Sequence, residues 1–389
     1  MSKPSVVIVG GGVIGAAIAC FLARDHGVKA RVLEADPSYR RASSSLSASS
    51  IRQQFSTPIN IALSQASLAF LRRVGEELSV NGEPPQLGLH EAGYLYLASD
   101  AGAAPLRASH AVQCANGADI QLLDATALRR RWPWLCTDGI ALGSWGASGE
   151  GWFDGPALHA AFRRKAIACG AEFLHASAVT LEVRAGRVHS AIDARGTRHD
   201  ADAIVIAAGA WSAPLAAQLG FDLPVRAKKR DVFVVSSPAA LPGCPLLIDP
   251  SGVWLRPEGR VFLTGAPPRD DSAVEAPLDA IDHGFFEEFI WPSLAARIPA
   301  LEALRMQSAW AGYYEMNLFD HNAVVGAMPG WANAFIACGF SGHGMQHAPA
   351  IGQAMAARIA NGRYGAIDLA PLAPERLLLN APLLEVNVI

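Results

Sequence analysis

The amino-acid sequence predicts an α/β fold, α+β overall, in which a domain around a parallel sheet carries an inserted domain built on an antiparallel sheet. Three observations predict it. A glycine-rich turn joins an apolar strand to a helix within residues 5–34, and an apolar strand of the parallel type follows at 202–212. Between Val225 and about Gly312 the strands alternate in character instead, as antiparallel strands do.

The first motif is a glycine turn between strand and helix. Gly10, Gly12 and Gly15 fit the pattern GxGxxG directly after an apolar β-branched run. Gly10 allows the tight turn, Gly12 lets a pyrophosphate approach the backbone, and Gly15 lets the helix pack closely on the sheet. The helix N-terminus then offers N–H groups and a positive dipole end to phosphates. Glu34 follows roughly 20 residues later, where a carboxylate accepts hydrogen bonds from a ribose. These residues predict a Rossmann-like dinucleotide site, against the alternative of glycine-rich packing alone, and they disfavour NADP.

Length and composition narrow the class of protein. The 389 residues, 51% of them hydrophobic, suffice for a large core and two domains. The formal net charge of -3 gives no reason to expect nucleic acid. The cysteines are widely spaced without a CxxC pair, so we predict no metal site. Their spacing also predicts a reducing compartment. Glycines interrupt the apolar run 6–23 and no later run is long enough to span a bilayer, so we predict no transmembrane segment and a cytoplasmic location.

A run rich in small hydroxyl side chains follows the first motif at residues 40–55. A flexible serine linker is one interpretation. Because the run lies directly after the dinucleotide motif and ends in Ile51 and Arg52, we predict a second phosphate-contacting segment. Apolar residues at helical spacing then predict a helix over 60–75, and residues 93–98 predict a strand.

The middle of the chain predicts a return to the nucleotide-binding domain. A short helix in residues 122–135 is capped by Asp124 and ended by Pro133. A longer helix, two strands and a hairpin lead to the apolar strand at 202–212, whose small residues permit close approach to a cofactor. In the antiparallel region one helix is expected from about residue 279 to 298.

The last third combines a strand at 334–338, a glycine-rich turn at 339–347 and a helix at 348–361. A glycine-rich turn that leads into a helix N-terminus stabilises anions. Such a device suits a flavin ring, whose reduced form is anionic.

Five motifs occur in one order: the glycine motif, the serine segment with Arg52, the strand end 207–211, the segment 310–314 and the closing turn 339–346. Together they resemble the D-amino-acid oxidase superfamily of FAD-dependent oxidoreductases, which includes sarcosine oxidase and glycine oxidase. The resemblance covers essentially the whole chain. Residues 51–56 and 310–314 look most like the branch called FAD-dependent oxidoreductase domain-containing proteins, and the layout is similar to that of D-arginine dehydrogenase.

The resemblance implies a Rossmann-like FAD-binding domain (residues 1–85, 150–224 and 313–389) and an inserted antiparallel-sheet substrate domain (86–149 and 225–312). Val179 is expected beside the adenine, and the closing turn at the pyrimidine edge of the flavin. The predicted cofactor-binding residues are Gly10, Gly12, Val13, Ile14, Gly15, Glu34, Ala35, Ser43, Ser44, Ser45, Ser49, Ser50, Ile51, Arg52, Val179, Ala208, Gly209, Trp211, Gly312, Gly342, His343, Gly344, Met345 and Gln346.

Two departures from the family pattern bear on chemistry. Members with covalent flavin carry a cysteine near the position of Gly312 or a histidine in the early serine segment, and this chain has neither. The predicted cofactor is therefore non-covalent FAD. Many amino-acid-specific members place an arginine where Tyr314 stands, to pair with the substrate carboxylate, so Arg52 or Arg230 supplies the positive charge here.

The candidate catalytic residues each have a simpler interpretation. Tyr314 orients the substrate or is a packed aromatic. His343 acts as a base or contributes its backbone alone. Arg230 binds a carboxylate or belongs to a solvated basic turn. Trp254 lines the cavity above the flavin or fills a core, and Arg52 faces phosphate or substrate.

The predicted function is oxidation of the carbon–nitrogen bond of an amino acid or secondary amine, by hydride transfer to flavin N5. The expected partners are a small amine or amino acid and an electron acceptor left open between oxygen and a quinone. Three alternatives remain: an FAD-dependent 2-hydroxy acid dehydrogenase, an FAD-binding assembly partner with little turnover, and an NAD-linked dehydrogenase.

Overall fold

The computed structural model describes residues 4–386; residues 1–3 and 387–389, at the ends of the predicted FAD-binding domain, lie outside the described part. The strands are β1 (Ser5–Val9), β2 (Lys29–Glu34), β3 (Ser50–Ile51), β4 (Tyr94–Ala98), β5 (Ile120–Leu123), β6 (Leu142–Gly146), β7 (Gly151–Trp152), β8 (Glu172–His175), β9 (Ala178–Arg184), β10 (Arg187–Asp193), β11 (Arg198–Asp200), β12 (Ala203–Ile206), β13 (Val225–Ser236), β14 (Leu246–Ile248), β15 (Trp254–Glu258), β16 (Val261–Gly265), β17 (Arg305–Asn317), β18 (Val324–Ala327) and β19 (Ala334–Cys338). The helices are α1 (Val13–His26), α2 (Ser43–Leu46), α3 (Pro58–Arg72), α4 (Val74–Leu78), α5 (Asp100–Ala115), α6 (Ala125–Arg131), α7 (Gly155–Ala168), α8 (Ala213–Gln218), α9 (His283–Phe285), α10 (Trp291–Arg297), α11 (Gly344–Asn361) and α12 (Glu375–Leu378).

A six-stranded sheet in the order β18-β19-β12-β1-β2-β8 forms the nucleotide-binding half. Its strands β19, β12, β1, β2 and β8 are parallel, and β18 pairs antiparallel at one edge. The apolar strands β1 and β12 are buried on both faces, as parallel strands are. Helix α1 packs against α7 and α11, and Gly352 of α11 permits the approach because a Cβ there would lie 2.6 Å from Ala17 Cβ. The predicted fold class is confirmed.

An eight-stranded, mostly antiparallel sheet in the order β17-β13-β16-β15-β14-β4-β6-β5 forms the second half. It joins strands from both stretches assigned to the substrate domain, because β14 pairs parallel with β4. The long ribbon of β13 and β17 leads back to the first half, and β17 runs across the predicted bound at 312/313. The domain bounds stay a prediction.

Several predicted elements differ from the structure. The helix expected from 348 begins at Gly344, because the turn ends at His343, whose carbonyl accepts from the His347 N–H. The helix in 122–135 is confirmed with its Asp124 cap, but it is only α6, since the residues before it form β5. The helix expected from about 279 begins at His283 and contains a π-helical turn at Phe286–Ile290.

Several elements have no counterpart in the sequence prediction, among them α5, β6 and β18. Helix α5 carries Pro105 inside it, and its buried residues are Ser109 and Gln113, so its amphipathic pattern is weak. Within residues 4–386 no helix is long and apolar enough to cross a membrane.

Candidate active site

One elongated cavity of about 650 Å³ is lined by residues of both large sheets, from the end of β2 to β15. This volume is typical of sites for small molecules and cofactors. All predicted site residues line it except Gly15, Ser45 and Ile51. The structure therefore brings together the glycine motif, the serine segment, the strand end at 207–211 and the closing turn.

The glycine motif forms the floor of the cavity at its β1 end. Gly10 has φ +104, and a Cβ there would lie 2.3 Å from the Ala207 carbonyl oxygen. Gly15 serves packing instead, since a Cβ would lie 2.0 Å from the Gly10 oxygen. At the N-terminus of α1, the Val13 N–H donates to Ser44 Oγ at 2.9 Å, which ties the serine segment to the glycine motif.

Glu34 ends β2 at the same end of the cavity. Its Oε2 accepts from the Gly11 N–H at 2.7 Å and its Oε1 from the Asp36 N–H at 2.8 Å. These hydrogen bonds hold the carboxylate on the cavity wall. Two further residues here were not predicted from the sequence: Tyr39, which also lines the cavity, and His159, whose Nε2 donates to the Gly11 oxygen at 2.8 Å.

The serine segment is docked rather than flexible. Ser43 Oγ donates to the Tyr313 oxygen at 2.5 Å, and Trp310 Nε1 donates to the Leu46 oxygen at 2.9 Å. A Cβ at Gly312 would lie 2.8 Å from Leu46 Cβ, so glycine permits this contact. Two of the predicted residues do not line the cavity: the Ile51 side chain is buried in the core, because it alternates with that of Ser50, and Ser45 on α2 is outside the lining.

The closing turn places the N-terminus of α11 at the cavity. Gly342 has φ +92, and a Cβ there would lie 2.5 Å from Tyr314 Cε2. No side chain caps α11, and the N–H groups of its first turn have no acceptor within the helix. Glu315 stabilises the turn, because its Oε2 accepts a hydrogen bond from the Gly339 N–H at 3.0 Å. Burial raises the pKa of Glu315 to about 7.

Arg52 and His343 contact each other in the part of the cavity beside this turn, which we call the chamber. Arg52 is buried, donates to the Gln54 oxygen, and places Nη2 at 3.2 Å from His343 Nε2. A guanidinium has no acceptor, so His343 Nε2 accepts and the proton of the neutral ring sits on Nδ1. Burial and the Arg52 charge lower the pKa of His343 well below its usual range. Arg52 and His343 are thus a cation beside a neutral imidazole.

Arg230 lies within β13, so the predicted basic turn is wrong. Its Nη1 and Nη2 donate to the two carboxylate oxygens of Asp271 at 2.8 and 2.9 Å. Its guanidinium carbon lies 5.3 Å from the ring centre of Tyr314. Arg230 and Tyr314, both predicted to act on the substrate, therefore form one group in which Asp271 balances the charge of the arginine. Both residues line the cavity.

Comparison with known proteins identifies the family. The DAO family model, described as FAD dependent oxidoreductase, matches residues 5–358. The chain belongs to this family. FAD-dependent oxidoreductase domain-containing protein 1 of Xenopus laevis is 39% identical over 427 residues, which span 100% of this chain and 85% of that protein. Glycine oxidase of Geobacillus kaustophilus is 29% identical over 380 residues, 95% of this chain and 96% of that protein. The structure of L-proline dehydrogenase from P. horikoshii has the same fold, with a TM-score of 0.82, 24% identity and coverage of 98% and 99%.

FAD is the cofactor of this oxidoreductase, which confirms the predicted superfamily and cofactor and contradicts the NAD-linked alternative. The cavity fits FAD, because the glycine motif and the start of α1 line it and the uncapped start of α11 offers N–H groups to an anion. The described lining contains no cysteine, so it fits the predicted non-covalent attachment.

Strands β4, β14 and β15 form another wall of the oxidoreductase cavity, and Trp254 is the one residue of this wall that was predicted. Tyr94, Leu246, Ile248 and Arg256 line it as well. Alternation along β15 is a signal that would have identified Arg256, because it lies two residues after Trp254 and shares its face. Residues of β4 and β14 carry no such local signal, since only the pairing of these two strands brings them to the cavity.

Proposed function

We propose that this oxidoreductase oxidises the carbon–nitrogen bond of an amino acid or secondary amine, giving an imine that water hydrolyses. FAD, when bound, accepts the hydride at flavin N5. The protein binds the amine, holds its nitrogen unprotonated and excludes water from the reacting carbon.

The neutral state of His343 beside Arg52 is the observation that carries this proposal. Burial lowers the pKa of His343 well below 6.5, and the Arg52 charge lowers it further. The same two effects lower the pKa of an amine held beside His343 and so favour its unprotonated form. A neutral amine has the free lone pair that assists departure of a hydride from the adjacent carbon, whereas an ammonium group opposes it.

We assign roles to the catalytic candidates on the same basis. Tyr314, which faces the cavity against the Arg230 guanidinium, orients the substrate. His343 positions Arg52 rather than acting as a base, because its Nε2 already accepts from the guanidinium. Trp254 lines the substrate end.

The cofactor contacts are proposed from the shape and donors of the cavity. Gly10, Gly12 and the start of α1 face the pyrophosphate, and Glu34 accepts from the ribose. Val179 lies at the adenine. Donors at Gly344–Gln346 stabilise negative charge at the flavin pyrimidine.

The name of glycine oxidase supports an amino compound as substrate, since that relative matches most of this chain. The 2-hydroxy acid and assembly-partner alternatives stay predictions, as do the electron acceptor and the cytoplasmic location.

The test is anaerobic mixing of the FAD-loaded protein with D- and L-amino acids, N-methyl amino acids and 2-hydroxy acids, followed by absorption spectroscopy. We expect an amine to bleach the flavin bands, and Tyr314→Phe to slow bleaching while FAD remains bound. Arg269→Met, which removes an exposed side chain paired with Glu288, is the control and leaves the rate unchanged. Bleaching by 2-hydroxy acids alone, or by no compound, would overturn the proposal.

A further inference from the structure

Four side chains on three neighbouring strands form an apolar surface inside the cavity: Tyr94 on β4, Leu246 and Ile248 on β14, and Trp254 on β15. The strand register sets them side by side, because β14 pairs with β4 on one side and with β15 on the other. Leu247, between the two β14 residues, points to the other face of the sheet and into its core. We call these four side chains the apolar platform.

A glycine on the next strand determines where the Trp254 indole lies. Gly265 of β16 is the cross-strand partner of Trp254. A Cβ at Gly265 would lie 3.0 Å from Cζ2 and 3.1 Å from Cε2 of the indole. The indole therefore lies over the glycine backbone, in the space that a side chain would fill. A larger residue at this position would displace it from the platform.

The charged groups beside the platform are balanced within the protein. Each charged residue of β13 and β15 that lines the cavity forms an ion pair: Arg230 with Asp271, Asp231 with Lys229, and Arg256 with Glu258. Burial raises the pKa of the Tyr94 hydroxyl to about 12, so the platform itself is uncharged at neutral pH. A charged ligand group held there would lose its hydration without gaining a counter-ion, whereas an apolar group would gain contact area.

We infer that the apolar platform binds a large uncharged side group of the substrate, so that the substrate is an amine bearing an aromatic or large aliphatic group. A planar ring fits best, because it stacks on the indole of Trp254 while Leu246 and Ile248 contact its remaining surface. The platform belongs to the eight-stranded sheet, whereas the glycine motif that faces the nucleotide belongs to the six-stranded sheet. This inference rests on the proposed function for the amine, but binding of the side group is testable without turnover.

The experiment is titration of the FAD-loaded protein with acetamide, phenylacetamide and 6-aminohexanamide, followed by the change in flavin absorption. The three probes share an amide group and differ in what it carries. We expect phenylacetamide to bind at least about 10-fold more tightly than acetamide, because its ring adds buried apolar area. We expect 6-aminohexanamide to bind more weakly than phenylacetamide, because its ammonium group loses hydration.

Variants of Trp254 assign the preference to the platform. Trp254→Ala lowers the affinity for phenylacetamide by about 10-fold or more and leaves that for acetamide unchanged. Trp254→Phe keeps a flat ring and restores part of the affinity. The matched control is Trp134→Ala, which removes an equally half-buried indole outside the cavity lining and changes neither affinity.

Gly265→Ala separates a ligand platform from an indole that only covers a glycine. If the platform binds the ring, the variant displaces the indole and lowers the affinity for phenylacetamide alone. A variant that is less stable but keeps the ratio of the two affinities overturns the inference, as does a ratio retained in Trp254→Ala.

The wild-type protein decides the matter even where a variant does not fold. Equal affinity for acetamide and phenylacetamide overturns the inference. Tighter binding of 6-aminohexanamide, or a preference for phenylacetamide without a change in flavin absorption, also overturns it. A platform that binds the ring in a protein whose flavin no amine reduces would overturn only the proposed function.

Discussion

Glu315 gives the protein a pH-dependent weakness that can be calculated from the structure. Burial raises its pKa from 4.5 to about 7, and the N–H groups of Gly339 and Phe340 oppose that shift. The folded protein therefore holds this proton more tightly than the unfolded chain. The stability from Glu315 is fully present below pH 4.5 and falls by about 1.4 kcal/mol per unit between the two pKa values, or about 3 kcal/mol in all.

Glu315→Gln removes this ionisation and keeps an oxygen for the Gly339 N–H. At about pH 5 we expect the variant to be less stable than wild type by about 0.5 to 1 kcal/mol, for the altered hydrogen bond. Between about pH 5 and pH 8 the difference in free energy of unfolding shifts in favour of the variant by about 2 to 3 kcal/mol. Urea unfolding with saturating FAD, followed by circular dichroism, measures it. Glu302→Gln, at an exposed site, is the control and changes stability by less than about 0.5 kcal/mol at either pH. A difference that stays constant with pH refutes the reasoning.

Three further predictions concern the cofactor and the chamber. Gly10→Ala abolishes FAD binding, because its Cβ meets a backbone carbonyl at 2.3 Å. Gly139→Ala, with φ +70 and nothing within 4 Å, is the control and retains FAD. The flavin content of the purified protein is the measurement, and a yellow Gly10→Ala protein would contradict the role of Gly10. Gly342→Ala moves the Tyr314 ring, so the rate of flavin reduction falls at least about 10-fold with FAD still bound, since misplacement by about 1 Å costs that much or more. Arg52→Met raises the apparent pKa of the bound amine by about 1 to 2 units, because a like charge is removed. The pH profile of anaerobic flavin reduction therefore moves to higher pH. An unmoved profile rules out the role of Arg52 in lowering the pKa of the amine.

Features that depend on short-range patterns were predictable. The glycine motif is one, because the φ of Gly10 and the packing of Gly15 follow from a turn between adjacent elements. The parallel strand β12 is another, since its continuous apolar run is typical of a strand buried on both faces. The strand predicted over 202–212 is too long, because it ends at Ile206 and Gly209–Trp211 form a 3-10 turn. A phosphate-contacting role of the serine segment was predicted from its position after the dinucleotide motif and stays a prediction. The contact between Leu46 and Gly312 that holds the segment was not predicted.

Features that depend on distant contacts were not predictable. Burial and then the charge of Arg52, which lies 291 residues earlier in the chain, lower the pKa of His343. The pairing of Arg230 with Asp271 depends on a loop 41 residues away, and the sequence alone left open whether the arginine binds a carboxylate or belongs to a solvated turn. Glu315 is buried only because the turn at Gly339 folds over it. The protonation and pairing of these groups depend on tertiary packing, which the periodicity of the sequence does not indicate.

The proposed function requires that the bond oxidised joins carbon to nitrogen. A single anaerobic turnover of the FAD-loaded protein with an N-methyl amino acid tests this, when reduced flavin and the carbonyl and amine products are quantified together. We expect one equivalent each of carbonyl compound and released amine per flavin reduced. Reduction without amine release, or reduction by a 2-hydroxy acid while the amine is recovered unchanged, would contradict the proposed function.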